Sequence, residues 1–218
     1  MALPKALRRL TPDGVRNSGR LRALALRSGL IPPRTMHTED EAELLRELAQ
    51  GRRRVVEIGV YEGSSALVLV DALPAEAELH LVEPFAGGGP WPGVMNAADE
   101  GATRSLVDRA ARRRGGPRVS WHVALSEDAA RGWSPPLDLV FVDGDHSEEA
   151  CALDWELWNG FVEPGGVVAF HDARAGKPGG WGDPGPTAVV DRLFRSGGAP
   201  GWELLAERDT LVAVVRSS

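Results

Sequence analysis

The chain has 218 residues, 43% of them hydrophobic, which is enough to bury one sizeable core and too few for two. Its 25 Lys and Arg stand against 31 Asp and Glu, a formal net charge of -6 that speaks against a general electrostatic surface for nucleic acid. A single cysteine, Cys151, excludes an intrachain disulfide, and its neighbours lack thiol-activating or metal-binding spacing, so a buried, inert thiol is expected. Lys5, Arg8, Arg9 and later charges interrupt any apolar stretch long enough for a signal peptide or membrane span, so the expectation is a cytoplasmic protein without a membrane partner.

Residues 1–36 mix Arg, Leu and Ala with breakers at Pro12, Gly14, Gly29, Pro32 and Pro33, and are expected to form a helical cap or an oligomer contact, leaving 37–218 as the main domain. Thr38 and Glu41 make a capping box for a helix over 39–50, with Leu44, Leu45 and Leu48 at helical spacing and Gly51 as its stop. Strands are then expected at 55–60 and 78–84, with a helix over 64–73 between them, the pattern of a βαβ unit. A helix over 99–114, strands at 119–125 and 137–143, a helix over 147–159 and a strand at 165–172 follow. The basic run Arg112–Arg114 suits the end of its helix as an offset to the dipole. A helix near 187–196 and two strand-like runs, WELLAER and TLVAVVR, parted only by Asp209, complete the chain as an antiparallel hairpin. A dinucleotide dehydrogenase would instead continue with another parallel unit.

Glu57-Ile-Gly59-Val-Tyr61-Glu62-Gly63 closes the first strand and opens a helix, where glycines let the backbone turn sharply and approach a ligand. Tyr61 occupies the position of the second glycine that a pyrophosphate requires, which favours a nucleoside without phosphate. Glu83 ends the second strand, where a carboxylate can accept from both hydroxyls of a ribose. Asp143, Asp145 and His146 end one strand, and His171 and Asp172 end the next. In an open α/β sheet both clusters face the crevice at the carboxyl ends of the strands.

These strings, V-D-G-D-H-S and the later P-G-G-x-x-x-x-H-D, resemble the class I S-adenosylmethionine-dependent methyltransferases, in the group of macrocin-type sugar O-methyltransferases and cephalosporin hydroxylase-like proteins. The resemblance covers roughly residues 40–215. It implies an α/β, Rossmann-like fold with a mostly parallel seven-stranded sheet, helices on both faces and a final antiparallel hairpin. It further implies an O-methyltransferase of a small hydroxylated metabolite, a sugar or aromatic unit of a natural product. S-adenosylmethionine would lie against Glu57, Gly59, Tyr61, Gly63, Ser64, Glu83 and Asp143, with Ser126 either at adenine or acting as a helix cap. Relatives hold magnesium through acidic residues at positions matching Asp143, His171 and Asp172, so a divalent ion, magnesium or manganese, is expected there. His171 departs from the pattern, because imidazole is a poor magnesium ligand and suits borderline transition metals. Otherwise it is a hydrogen-bonded neighbour of the site. Asp145 or His146 is the expected catalytic base, with His146 having the better suited ordinary pKa.

Trp91 and Trp181 lie in Gly/Pro-rich loops that are either lids over the acceptor or loops anchored to the surface. Trp155 and Trp158 are expected in the core or at an oligomer contact. Two rival functions stay open: a module that binds the cofactor without transferring methyl, and a nucleic-acid methyltransferase. The second is opposed by the acidic charge and by the lack of an N-P-P-Y-like string.

Overall fold

The computed structural model describes residues 18–86, 98–174 and 182–217. In chain order these form α1 (Gly19–Ser28), α2 (Glu39–Ala49), β1 (Arg54–Ile58), α3 (Ser64–Ala72), β2 (Glu78–Val82), α4 (Glu100–Arg114) and β3 (Arg118–His122). They continue with α5 (Ser126–Ala130), β4 (Leu137–Val142), α6 (Glu148–Trp158), β5 (Val162–Phe170), α7 (Pro184–Val190), β6 (Trp202–Arg208) and β7 (Leu211–Arg216).

The inner strands are apolar on both faces, which requires cover on both sides. Val55, Leu139, Phe141, Val167 and Ala169 pack with residues of α2, α3 and α4. Their sequence neighbours Val56, Val140, Val142, Val168 and Phe170 pack on the other face with α6 and α7. The seven strands run in the order β3-β2-β1-β4-β5-β7-β6. β1 through β5 pair in parallel, and β7 is antiparallel to both β5 and β6. The Rossmann-like sheet with its terminal hairpin is therefore present as expected. Its order reverses direction between β1 and β4, which opens a crevice at their carboxyl ends.

Register does the rest of the positioning. Ile58 pairs with Val82 and with Val142, and Val142 pairs with Phe170. Gly59, Glu83, Asp143 and His171 each follow one of these residues, so the four stand side by side along one sheet edge.

Several boundaries differ from the pattern-based expectation. β3 stops at His122, not 125, since its partner β2 ends at Val82 and leaves nothing to pair with; Val123 and Leu125 are exposed. The tail helix begins earlier, at Pro184, because proline lacks only a donor that the first helical turn does not use, and a π turn over Asp191–Arg195 ends it. The short α5 had no apolar period to announce it. α2 carries the expected capping box, and Cys151 is buried with its thiol pushed up to about 12 by burial, consistent with inertness. Trp155 and Trp158 belong to the core. No helix among the described residues is long and apolar enough to cross a membrane.

Candidate functional site

The glycine turn after β1 is held by backbone geometry that only glycine tolerates at its first position. Gly59 has φ +83°, and a Cβ there would lie 2.0 Å from the carbonyl oxygen of Asp143. Tyr61 also adopts a left-handed backbone, with φ 51°. Gly63, at φ 87°, opens α3 without any side-chain cap.

Glu83 organises this turn. Its Oε2 accepts from the amides of Val60 (3.0 Å) and Tyr61 (2.9 Å), and its Oε1 accepts from the Phe85 amide (2.9 Å). Glu57 lies beneath the turn, fully buried, and accepts from the Ser65 hydroxyl. Its second oxygen has no hydrogen-bond partner. Burial pushes its carboxyl up to about 8, with the Ser65 hydrogen bond opposing and the Asp143 and Glu83 charges adding.

The neutral form of Glu57 is therefore favoured in the folded chain, from its ordinary value of 4.5 up to about 8. The stability it contributes is complete below the ordinary value and is lost as the pH rises through about 8. The urea midpoint of the wild type is expected to fall relative to that of Glu57→Gln across this window. Two parallel curves would show that Glu57 ionises normally.

The N-terminal segment packs on the same turn. Glu62, 3% exposed, pairs with the guanidinium of Arg22 and accepts from the Arg34 amide (2.7 Å) and side chain (2.9 Å). Arg34 also donates to the Tyr61 hydroxyl at 3.1 Å. Ser64 meets His37 Nε2 at 2.9 Å and Thr35 at 3.3 Å. Residues 18–37 thus cap the glycine turn of their own chain. The breaker-rich composition gave no hint of this contact.

The second cluster stands beside the turn. His171 is 3% exposed; its Nδ1 lies 2.8 Å from Asp143 Oδ1 and 3.4 Å from Asp172 Oδ2, and its Nε2 lies 3.4 Å from Glu41 Oε2. Neither ring nitrogen completes a hydrogen bond of acceptable geometry. His146 stands 3.6 Å from each of Asp143, Asp172 and Asp183. Burial opposes the charged form of both histidines, but the Asp143 carboxylate raises both, His171 most. Burial would likewise raise Asp143, yet His171 and His146 hold it at about 2. Asp172 is raised, by burial first.

Asp145 is exposed, its Oδ1 accepting from the Ser147 amide at 2.8 Å. Among the described residues, donor atoms of Asp143, His146 and His171 all lie within 4.8 Å of one another, a spacing that could hold a metal ion. Asp172 touches both histidines, while its other oxygen lies 3.1 Å from the Thr210 hydroxyl. Ser126 is not the helix cap: Leu125 occupies that position, and the Ser126 hydroxyl accepts from the Trp158 indole at 2.9 Å.

Three members of the site carry no recognisable sequence signal. Glu41 and Thr210 reach it from α2 and from the β6–β7 turn. Asp183 arrives with α7, whose Gly185 is pressed so closely against the chain that a Cβ would lie 2.2 Å from the His146 carbonyl. Trp91 and Trp181 lie outside the described residues. A depression of about 610 Å³ lined by Arg104, Arg112, Arg118 and Trp121 sits at the start of β3 and contains no group of the site.

Residues 56–173, just over half of the chain, match a family described as a methyltransferase domain. Among similar solved structures is the O-methyltransferase TomG from Streptomyces achromogenes, involved in tomaymycin synthesis, in complex with SAM. It is 19% identical, with 93% of this chain and 91% of that one covered and a TM-score of 0.61. The O-methyltransferase from Bacillus cereus in complex with SAH is 20% identical, with 95% and 93% covered and a TM-score of 0.61. The O-methyltransferase NovP is 17% identical, with 95% and 89% covered and a TM-score of 0.64. At these identities the likeness is one of fold.

Proposed function

The chain belongs to this methyltransferase family, and we propose that it transfers a methyl group from S-adenosylmethionine to an oxygen of a small hydroxylated metabolite, a sugar or aromatic unit of a natural product, in the cytoplasm. The observation that carries this reading is the pair of carboxylates beside the glycine turn, Glu83 and Asp143, with the neutral Glu57 carboxyl beneath it. Negative charge there repels a pyrophosphate and favours the sulfonium and ammonium of S-adenosylmethionine. Gly59, Tyr61, Gly63 and Ser64 would frame the cofactor, Glu83 would accept from its ribose, and Ser126 would lie on the adenine side.

Methyl transfer is an in-line displacement. The acceptor oxygen bonds to the methyl carbon as the carbon–sulfur bond breaks, its electron pair stays on sulfur in S-adenosylhomocysteine, and the acceptor proton must leave. His146 is the group we assign to take that proton. Its ring is partly exposed, and the carboxylates of Asp143, Asp172 and Asp183 around it stabilise the imidazolium that forms. Asp145 has the weaker claim, being tied to the start of α6.

A divalent ion fits this cluster, because His171 offers buried ring nitrogens without hydrogen-bond partners beside an ionised Asp143. Asp143 and His171 would hold it with Asp172 or, as the spacing of donor atoms favours, with His146, whose ring would then serve as a ligand in place of a base. When bound, such an ion lowers the pKa of the acceptor hydroxyl. Two imidazoles favour borderline transition metals over magnesium.

Incubation with methyl-labelled S-adenosylmethionine and a panel of catechols and sugar derivatives tests the proposal. Label is expected on an acceptor oxygen with one equivalent of S-adenosylhomocysteine formed. Transfer to RNA or DNA instead, steeply weakened by salt, would overturn the small-molecule reading.

A further inference from the structure

A carboxylate that completes a helix capping box ordinarily sits in solvent, but Glu41 is 3% exposed. It does close the cap, accepting from the Thr38 amide at 2.7 Å. Its other oxygen accepts from the Thr210 amide at 2.9 Å and from the Thr210 hydroxyl, so the β6–β7 turn clamps it in place. Held in this way, Oε2 faces His171 Nε2 at 3.4 Å, on the side of the ring opposite Asp143.

We propose that Glu41 is a positioning residue for a transition-metal centre, taking the Nε2–H of His171 and so fixing the tautomer whose Nδ1 lone pair faces an ion held with Asp143 and His146. A metal-bound imidazole needs one nitrogen deprotonated, and a carboxylate on the other nitrogen selects that tautomer, stops the ring from rotating and raises its basicity. His171 meets the geometric condition: one nitrogen faces the donor cluster, the other faces a carboxylate that belongs to neither β4 nor β5, and both are buried without a hydrogen bond. Were Glu41 only a cap and a tie to the hairpin, its Thr38 and Thr210 contacts would suffice. Its approach to His171 would then have no consequence for binding.

The inference rests on the proposed reading of this cluster as a metal site. Metal binding is measured without S-adenosylmethionine, so its failure is distinct from failure of the methyl-transfer assignment. The experiment titrates the full chain with Co²⁺ alone, followed through its visible absorption, with Mg²⁺ and Zn²⁺ as competitors. The wild type is expected to give bands typical of nitrogen ligation, displaced by Zn²⁺ and not by excess Mg²⁺. Glu41→Gln should bind Co²⁺ about 10–100-fold more weakly. Thr38→Ala, which loosens the same cap without contacting His171, should keep the wild-type affinity. ¹⁵N resonances of His171 in the Zn²⁺-loaded wild type should report metal at Nδ1 and a proton at Nε2, a result independent of whether any variant folds. Unchanged Co²⁺ affinity in folded Glu41→Gln, preference for Mg²⁺, or the reverse tautomer would each overturn the assignment.

Discussion

Replacing His146 with alanine is expected to lower methyl transfer by about 10²–10⁴-fold, the usual span for loss of a positioned acid or base, while S-adenosylmethionine binding stays near the wild-type level. The split follows from placement. The ring of His146 is surrounded by the carboxylates of Asp143, Asp172 and Asp183 at 3.6 Å, whereas the glycine turn that would hold the cofactor is fixed by Glu83. Asp145→Ala should leave turnover close to the wild type, since that side chain is exposed and spent on the Ser147 amide. Turnover under saturating cofactor, with calorimetric affinity for S-adenosylmethionine, checks both variants. A large loss in Asp145→Ala with little in His146→Ala would reverse the assignment of the base.

Gly59→Ala is expected to be among the most damaging single-methyl changes at the described residues. The new Cβ would meet the Asp143 carbonyl oxygen at 2.0 Å and its carbon at 2.5 Å, contacts with backbone that no rotamer relieves. The φ of +83° adds about 1–2 kcal/mol of left-handed strain, and the forced displacement adds about 1–3 kcal/mol. Gly51 supplies the control: its φ is +75°, but nothing lies within 4 Å of where its Cβ would stand, so Gly51→Ala should incur the strain alone. Urea denaturation of both variants separates the two effects. Gly59→Ala should also lose activity, because the Asp143 amide donates to the Ile58 carbonyl at 2.8 Å and the clash pushes these two strand ends apart. Equal destabilisation at the two glycines would mean that the close approach of β1 and β4 is absent.

The parts of this site legible in the sequence are those that follow strands. Glu57, Gly59, Glu83, Asp143 and His171 lie in or just after apolar runs whose length sets where each strand ends, and a parallel register then brings them level. What stayed hidden depends on contacts across long separations. Thr38-x-x-Glu41 is explained completely as a local cap, so nothing in its spacing points to His171 or Thr210. Glu62 gives no sign of its partners Arg22 and Arg34, which come from a segment lacking clear periodicity. Glycine and proline around 184–186 suggested only a loop, although Pro184 starts a helix and Gly185 allows that helix to touch the His146 backbone. Edge effects account for the early end of β3, since apolar content continues past the last residue that has a partner strand.

Calorimetric titration of the wild-type chain with S-adenosylmethionine and S-adenosylhomocysteine, with Gly59→Ala run alongside, tests the central claim without needing to know the acceptor. Saturable binding of both ligands at one site per chain is expected, lost in the variant. Absence of heat from either ligand with a folded wild-type chain, with and without added divalent ion, would contradict it.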